Sequence, residues 1–89
     1  MLTVYSKTVC PYCVNAKNFL KSKNIAFEEI NIEQTPQARD FIMEAGHRTV
    51  PQIYHNGKLF VEGGWQGLSK MSAEQITEQI NHSTSLGTL

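Results

Sequence analysis

Leu2-Thr3-Val4-Tyr5-Ser6-Lys7-Thr8-Val9-Cys10-Pro11-Tyr12-Cys13 begins in alternating apolar and polar residues and ends on a C-x-x-C pair. Leu2 and Val4, alternating with Thr3 and Tyr5, predict a short strand, and Ser6 to Val9 the loop that leaves it. Pro11 suits the first position of a helix, where no N–H is needed. From there to about Lys23 the apolar residues Val14, Ala16, Phe19 and Leu20 fall at helical spacing, with Lys17, Lys21 and Lys23 left for the solvent side. The two cysteines therefore sit where a strand, by way of a loop, becomes a helix.

That position carries chemistry. A sulfur on the residue just before a helix faces the unpaired N–H groups of the first turn and the positive end of the helix dipole, and both favour thiolate over thiol. Cys13 follows one turn deeper on the same face, close enough to form a disulfide and less exposed. Cys10 is thus the candidate nucleophile and Cys13 the candidate resolving thiol, an arrangement suited to thiol–disulfide exchange. A bridge that closes so short a loop removes little unfolded-state entropy, which argues against a stapling role. A structural zinc site needs four ligands, and His47, His55 and His82 are scattered far from the required spacing, so no metal is expected.

Working outward, Ala26 to Ile32 reads as a second strand through Phe27, Ile30 and Ile32. Thr35-Pro36 announces a helix, with Thr35 as N-cap, a buried stripe of Ala38, Phe41, Ile42 and Ala45, and Gly46 placed to stop it. Gln52-Ile53-Tyr54-His55 and Lys58-Leu59-Phe60-Val61 flank Asn56-Gly57, a pair that tolerates the positive φ angles of a two-residue hairpin turn. Gly63-Gly64 ends the second arm. Leu68, Met71, Ile76 and Ile80 predict one closing helical region, with Ser72-x-x-Gln75 as a capping box inside it. The order β-α-β-α-β-β-α describes an α/β domain, a small four-stranded mixed sheet with helices on both faces.

The chain has 89 residues, which makes room for one domain. Residues 1–82 are continuous, whereas 83–89 are small and polar and read as a flexible C-terminal tail. Eight Lys plus Arg balance eight Asp plus Glu, so the attraction expected of a nucleic-acid binder is missing. No apolar run suits a membrane span or a secretory leader, and a cytoplasmic protein is expected.

Tyr5-Ser6-Lys7-x-x-Cys10-Pro11-Tyr12-Cys13, then Thr49-Val50-Pro51-Gln52-Ile53-Tyr54, Asn56-Gly57 and Gly63-Gly64, resemble in order the dithiol glutaredoxins. The resemblance implies a thioredoxin-like fold, a redox-active Cys10–Cys13 disulfide and a cis Val50–Pro51 bond beside it. A cis bond there turns the Val50 backbone outward, where it can pair with an extended peptide such as glutathione. The implied enzyme is a monomeric glutathione-dependent oxidoreductase that reduces protein disulfides and glutathione mixed disulfides, with ribonucleotide reductase as one possible electron acceptor. Lys7, Tyr12, Thr49, Val50, Pro51, Gly64, Trp65 and Gln66 match the glutathione-contacting positions.

The run after Gly63-Gly64 is Trp65-Gln66-Gly67-Leu68, which holds no acid to pair the amine of glutathione. Pro36 to Met43 and the Gly64-Trp65 turn resemble instead the NrdH-type redoxins, which draw electrons from thioredoxin reductase. Glutathione is placed first, the NrdH-like reading second. An iron–sulfur module sharing a cluster through Cys10 is an alternative of another class, and it predicts a coloured protein.

Overall fold

Leu2–Ser6 forms β1, and its burial follows the pleat: Leu2, Val4 and Ser6 are buried, Thr3 and Tyr5 only partly. In this computed structural model, which describes residues 1–86 and side chains as far as residue 81, β1 lies inside a four-stranded mixed sheet of thioredoxin-like fold. Its parallel neighbour is β2 (Phe27–Asn31), and its antiparallel neighbour is β3 (Gln52–His55). β4 (Lys58–Val61) follows by the expected hairpin, giving the order β2-β1-β3-β4. Asn56 and Gly57 adopt φ of 53° and 79°, as a two-residue turn requires.

The helices are α1 (Pro11–Ser22), α2 (Pro36–Glu44), α3 (Trp65–Leu68) and α4 (Ala73–Leu86). One sheet face presents Leu2, Val4, Ile53 and Phe60, which close on Ala16 and Leu20 of α1, Leu68 of α3 and Ile76 of α4. That is the main core. The other face carries α2, whose Phe41 ring lies 5.7 Å from Tyr5 and 5.2 Å from Tyr54, centroid to centroid.

Several expectations change. The closing helical region is two helices, and the Ser72–Gln75 box opens the second of them. The Gln75 side chain accepts from the Ser72 N–H at 2.9 Å, while the Ser72 hydroxyl accepts from the Gln75 N–H at 3.1 Å. The stripe on α2 reduces to Ala38 and Ile42; Phe41 and Ala45 are exposed. Phe41, 39% exposed, packs its ring on Tyr5 and Tyr54 and leaves one side open to water. Val14, expected in the stripe of α1, is exposed too, because only Cys13, Ala16 and Leu20 point squarely into the core. Thr35 stands at the N-cap of α2, but it is its backbone carbonyl that accepts from Ala38 and Arg39, and its hydroxyl makes no cap bond. Gly46 ends α2 as read, with the His47 N–H returning to the Ile42 carbonyl at 3.1 Å. α4 continues to Leu86, and residues 87–89 of the segment read as a tail lie outside the described residues.

His55, at the end of β3, is buried beside the Phe60 ring. Burial first, and the N-terminal ammonium second, push its pKa below the ordinary 6.5. The native state therefore resists a proton that the unfolded chain accepts near that value. Its contribution is complete above this pH and falls as pH drops through it, by at most about 1.4 kcal/mol per pH unit. Urea unfolding between pH 7.5 and 5.5 is expected to show that loss, and His55→Gln to flatten it. Glu29 and Glu33, whose pKa values lie below the ordinary 4.5, add their own loss only in more acidic solution.

Candidate active site at the start of α1

Cys10 is the N-cap of α1, in extended backbone geometry with φ −152° and ψ 94°, and Pro11 fills the first helical position as predicted. The Cys13 N–H donates to the Cys10 sulfur at 3.1 Å. The two residues are joined as a disulfide with their Cα atoms 5.2 Å apart. When this bond is reduced, the same N–H and the dipole of the twelve-residue helix favour a thiolate on Cys10. Cys13 is 1% exposed and Cys10 7%, so an incoming disulfide reaches Cys10 first.

The Val50–Pro51 peptide is cis, and the Val50 carbonyl oxygen lies 3.8 Å from the Cys10 sulfur. Thr49, Val50 and Pro51 precede β3, which brings them across from the start of α1. Gln52 props this segment from below, its side-chain amide donating to the Thr49 carbonyl at 2.8 Å. Gly64, with φ 55° and ψ −123°, lies against the Pro51 carbonyl so closely that a Cβ there would drive into the oxygen. This contact seats the Gly63–Gln66 turn beside Val50.

A groove of about 210 Å³ results, lined by Tyr12, Thr49, Val50, Pro51, Gly63, Gly64, Trp65 and Gln66. Seven of the eight residues singled out in the sequence beside the cysteines thus line one cleft. The eighth, Lys7, lies in a larger adjoining groove of about 530 Å³ that shares Tyr12, Thr49 and Val50 with the first. Trp65 is half-buried, its ring edge-on to Phe19 at 5.5 Å, so it serves the core and the groove wall together.

Sequence reasoning missed two features. One is a polar cluster at the end of β1: the buried Ser6 hydroxyl donates to Glu29 at 2.7 Å, and Lys17 pairs with the same carboxylate at 2.9 Å. The Lys17 and Ser6 hydrogen bonds, in that order, hold the Glu29 carboxyl below its usual range. The other is a clasp on the loop before Cys10, where Glu33 accepts from the Thr8 N–H at 2.7 Å and the Ile32 N–H donates to the Ser6 carbonyl at 2.8 Å. The only available signal was the parallel pairing of β1 with β2, which sets Ser6 opposite Asn31.

A thioredoxin-like sheet that presents a paired dithiol at a helix N-terminus beside a cis-proline defines the class of thiol–disulfide oxidoreductases. The glutaredoxin family profile matches residues 2–60, and the chain belongs to that family. Glutaredoxin-like protein NrdH of Lactococcus lactis subsp. lactis is 43% identical over 53 residues, which cover 60% of this chain and 74% of that protein. Glutaredoxin 3 of Escherichia coli K12 is 42% identical over 52 residues, 57% of this chain and 63% of the relative, so the match spans less than two-thirds of that protein. The crystal structure of a buckwheat glutaredoxin–glutathione complex aligns with a TM-score of 0.71 at 24% identity, covering 91% of this chain and 76% of the other, and supports the fold.

Proposed function

We propose that this glutaredoxin-family oxidoreductase takes its electrons from glutathione and reduces protein disulfides and glutathione mixed disulfides, ribonucleotide reductase being one acceptor of that kind. The supporting observation is the convergence of Tyr12, Thr49, Val50, Pro51, Gly64, Trp65 and Gln66 on one cleft beside the Cys10 sulfur. The Val50 N–H and carbonyl offer a peptide ligand main-chain pairing, and Lys7 on the adjoining rim offers a cation for a carboxylate.

In the dithiol reaction the Cys10 thiolate attacks one sulfur of the substrate disulfide, forming a mixed disulfide and releasing the other substrate sulfur as a thiolate. Cys13, deprotonated, then attacks the Cys10 sulfur and expels the second substrate thiolate. The enzyme ends oxidised by two electrons and the substrate ends as a dithiol. Two glutathione molecules reverse the change: one forms a mixed disulfide at Cys10, and the other releases oxidised glutathione.

A second reading, reduction by thioredoxin reductase, is favoured by the 43% identity with NrdH, level with the 42% to glutaredoxin 3. NADPH oxidation with hydroxyethyl disulfide separates the two when run with glutathione plus glutathione reductase, and again with thioredoxin reductase alone. Turnover is expected in the glutathione arm. Turnover confined to the thioredoxin reductase arm would replace this reading with the NrdH-like one.

A further inference from the structure

Beyond Lys7, Tyr12, Thr49 and Val50, the larger groove carries a wall that glutathione has no side chain to fill. It runs from Tyr12 and Val50, beside Cys10, toward α2, and its wall there is apolar: Ile32, Ile42 and Met43. Met43 is 60% exposed, although a methionine on a surface helix gains nothing from water. Around this wall stand Lys7, Arg39 and Arg48, three of the eight cationic side chains of a chain with no net charge. Glu33 tempers Lys7 and Arg39, since its carboxyl is held down in part by both. Among the described residues the one ion pair within 4.0 Å is Lys17–Glu29, so Arg48 is paired with no acid. Glutathione has no aliphatic side chain to set against such a wall. A polypeptide does.

We infer that this groove is a docking subsite for the polypeptide substrate, taking a large aliphatic side chain near the target cysteine on Ile32, Ile42 and Met43 and an acidic one on Arg48. The inference rests on the thiol–disulfide exchange reading and is independent of the reductant. Two features commit the groove to this occupant. It is continuous with the Cys10 site through Tyr12, Thr49 and Val50, so a segment whose cysteine is bonded to Cys10 extends directly into it. Its charge also complements an acid, and Lys7 and Arg39 are already tempered by Glu33, which leaves selection to Arg48. During transfer, the substrate segment stays bonded to the Cys10 sulfur until Cys13 displaces it, so contacts in the groove lengthen the life of the mixed disulfide and speed its formation.

The test uses full-length protein reduced with dithiothreitol and desalted, mixed in single turnover with disulfide-linked homodimers of a heptapeptide. One peptide carries Leu and Glu on both sides of its cysteine, the other Ser and Lys. Released peptide thiol is measured after acid quenching and chromatography, and hydroxyethyl disulfide is the small reference substrate. The Leu/Glu peptide is expected to react on the order of tenfold faster than the Ser/Lys peptide, as burial of one aliphatic side chain allows. Arg48→Gln and Met43→Ser should each lower the ratio of the Leu/Glu rate to the hydroxyethyl disulfide rate by about threefold or more. Both positions are on the surface, and damage to the fold would slow both substrates together without moving the ratio. Equal peptide rates in the unaltered protein, or a preference that survives both substitutions, would overturn the docking subsite. Since no glutathione or reductase is present, neither result bears on the choice of electron donor.

Discussion

Cys10→Ser is expected to lose all thiol–disulfide exchange, down to the uncatalysed background, whereas Cys13→Ser keeps the reduction of glutathione mixed disulfides within about an order of magnitude of the parent. The asymmetry follows from burial and bonding. Cys13 is 1% exposed, so an incoming disulfide meets it only after Cys10 has reacted. The Cys13 N–H bond to the Cys10 sulfur comes from the backbone and survives the serine substitution. A hydroxyl at position 10 has no accessible anion, and the cap geometry cannot make it a nucleophile of comparable strength. Substrates whose own disulfide must be opened and released need both sulfurs, so Cys13→Ser should stall on them as a trapped mixed disulfide visible by mass spectrometry. Iodoacetamide labelling of reduced Cys13→Ser against pH should place the Cys10 thiol below the ordinary ~8.5. Labelling at ~8.5 would remove the helix terminus as its activator.

Gly64→Ala is the second large effect, and it falls on stability and on the groove together. At φ 55° and ψ −123° an L side chain is strained wherever it points, at roughly 1–3 kcal/mol. Here the new Cβ also meets the Pro51 carbonyl oxygen, which is backbone and cannot swing aside. The turn or the Thr49–Pro51 segment has to move. For a domain of this size the melting temperature should fall by more than about 10 °C. Gly46→Ala is the internal control: φ is also positive there, at 90°, but the space around a Cβ is empty, so only the backbone strain is added. Thermal melts in which both variants fall equally would show that the Pro51 contact contributes nothing.

The local features of the fold could be read in the chain because local chemistry decides them. Pro11 after Cys10, the alternation of β1, and Asn56-Gly57 between two apolar runs each depend on neighbours within a few residues. The cleft is a different matter. Thr49 to Pro51 and Gly64 to Gln66 meet Tyr12 only through the sheet, and the resemblance to glutaredoxins, not spacing, grouped them in advance; the cis bond came the same way. What resemblance did not mark stayed hidden. Met43 and Arg48 depend on where α2 lies over the sheet, and that is set by Phe41 against Tyr5 and Tyr54, a packing no periodicity reports. The split between α3 and α4 was missed for a related reason: Leu68, Met71, Ile76 and Ile80 suit one helix, and only the Ser72 box showed where it breaks.

Trp65 is the only tryptophan in the chain, and it shares a groove wall with Val50, whose carbonyl touches the Cys10 sulfur. Its ring is steadied edge-on by Phe19, so its surroundings change little except at the groove. A disulfide quenches excited indole more strongly than a pair of thiols does. Emission from this one native chromophore is therefore expected to rise when the dithiol is reduced, with no dye or tag attached, and equal emission from the oxidised and the dithiothreitol-reduced protein would show that Trp65 stands too far from the sulfurs to report on them.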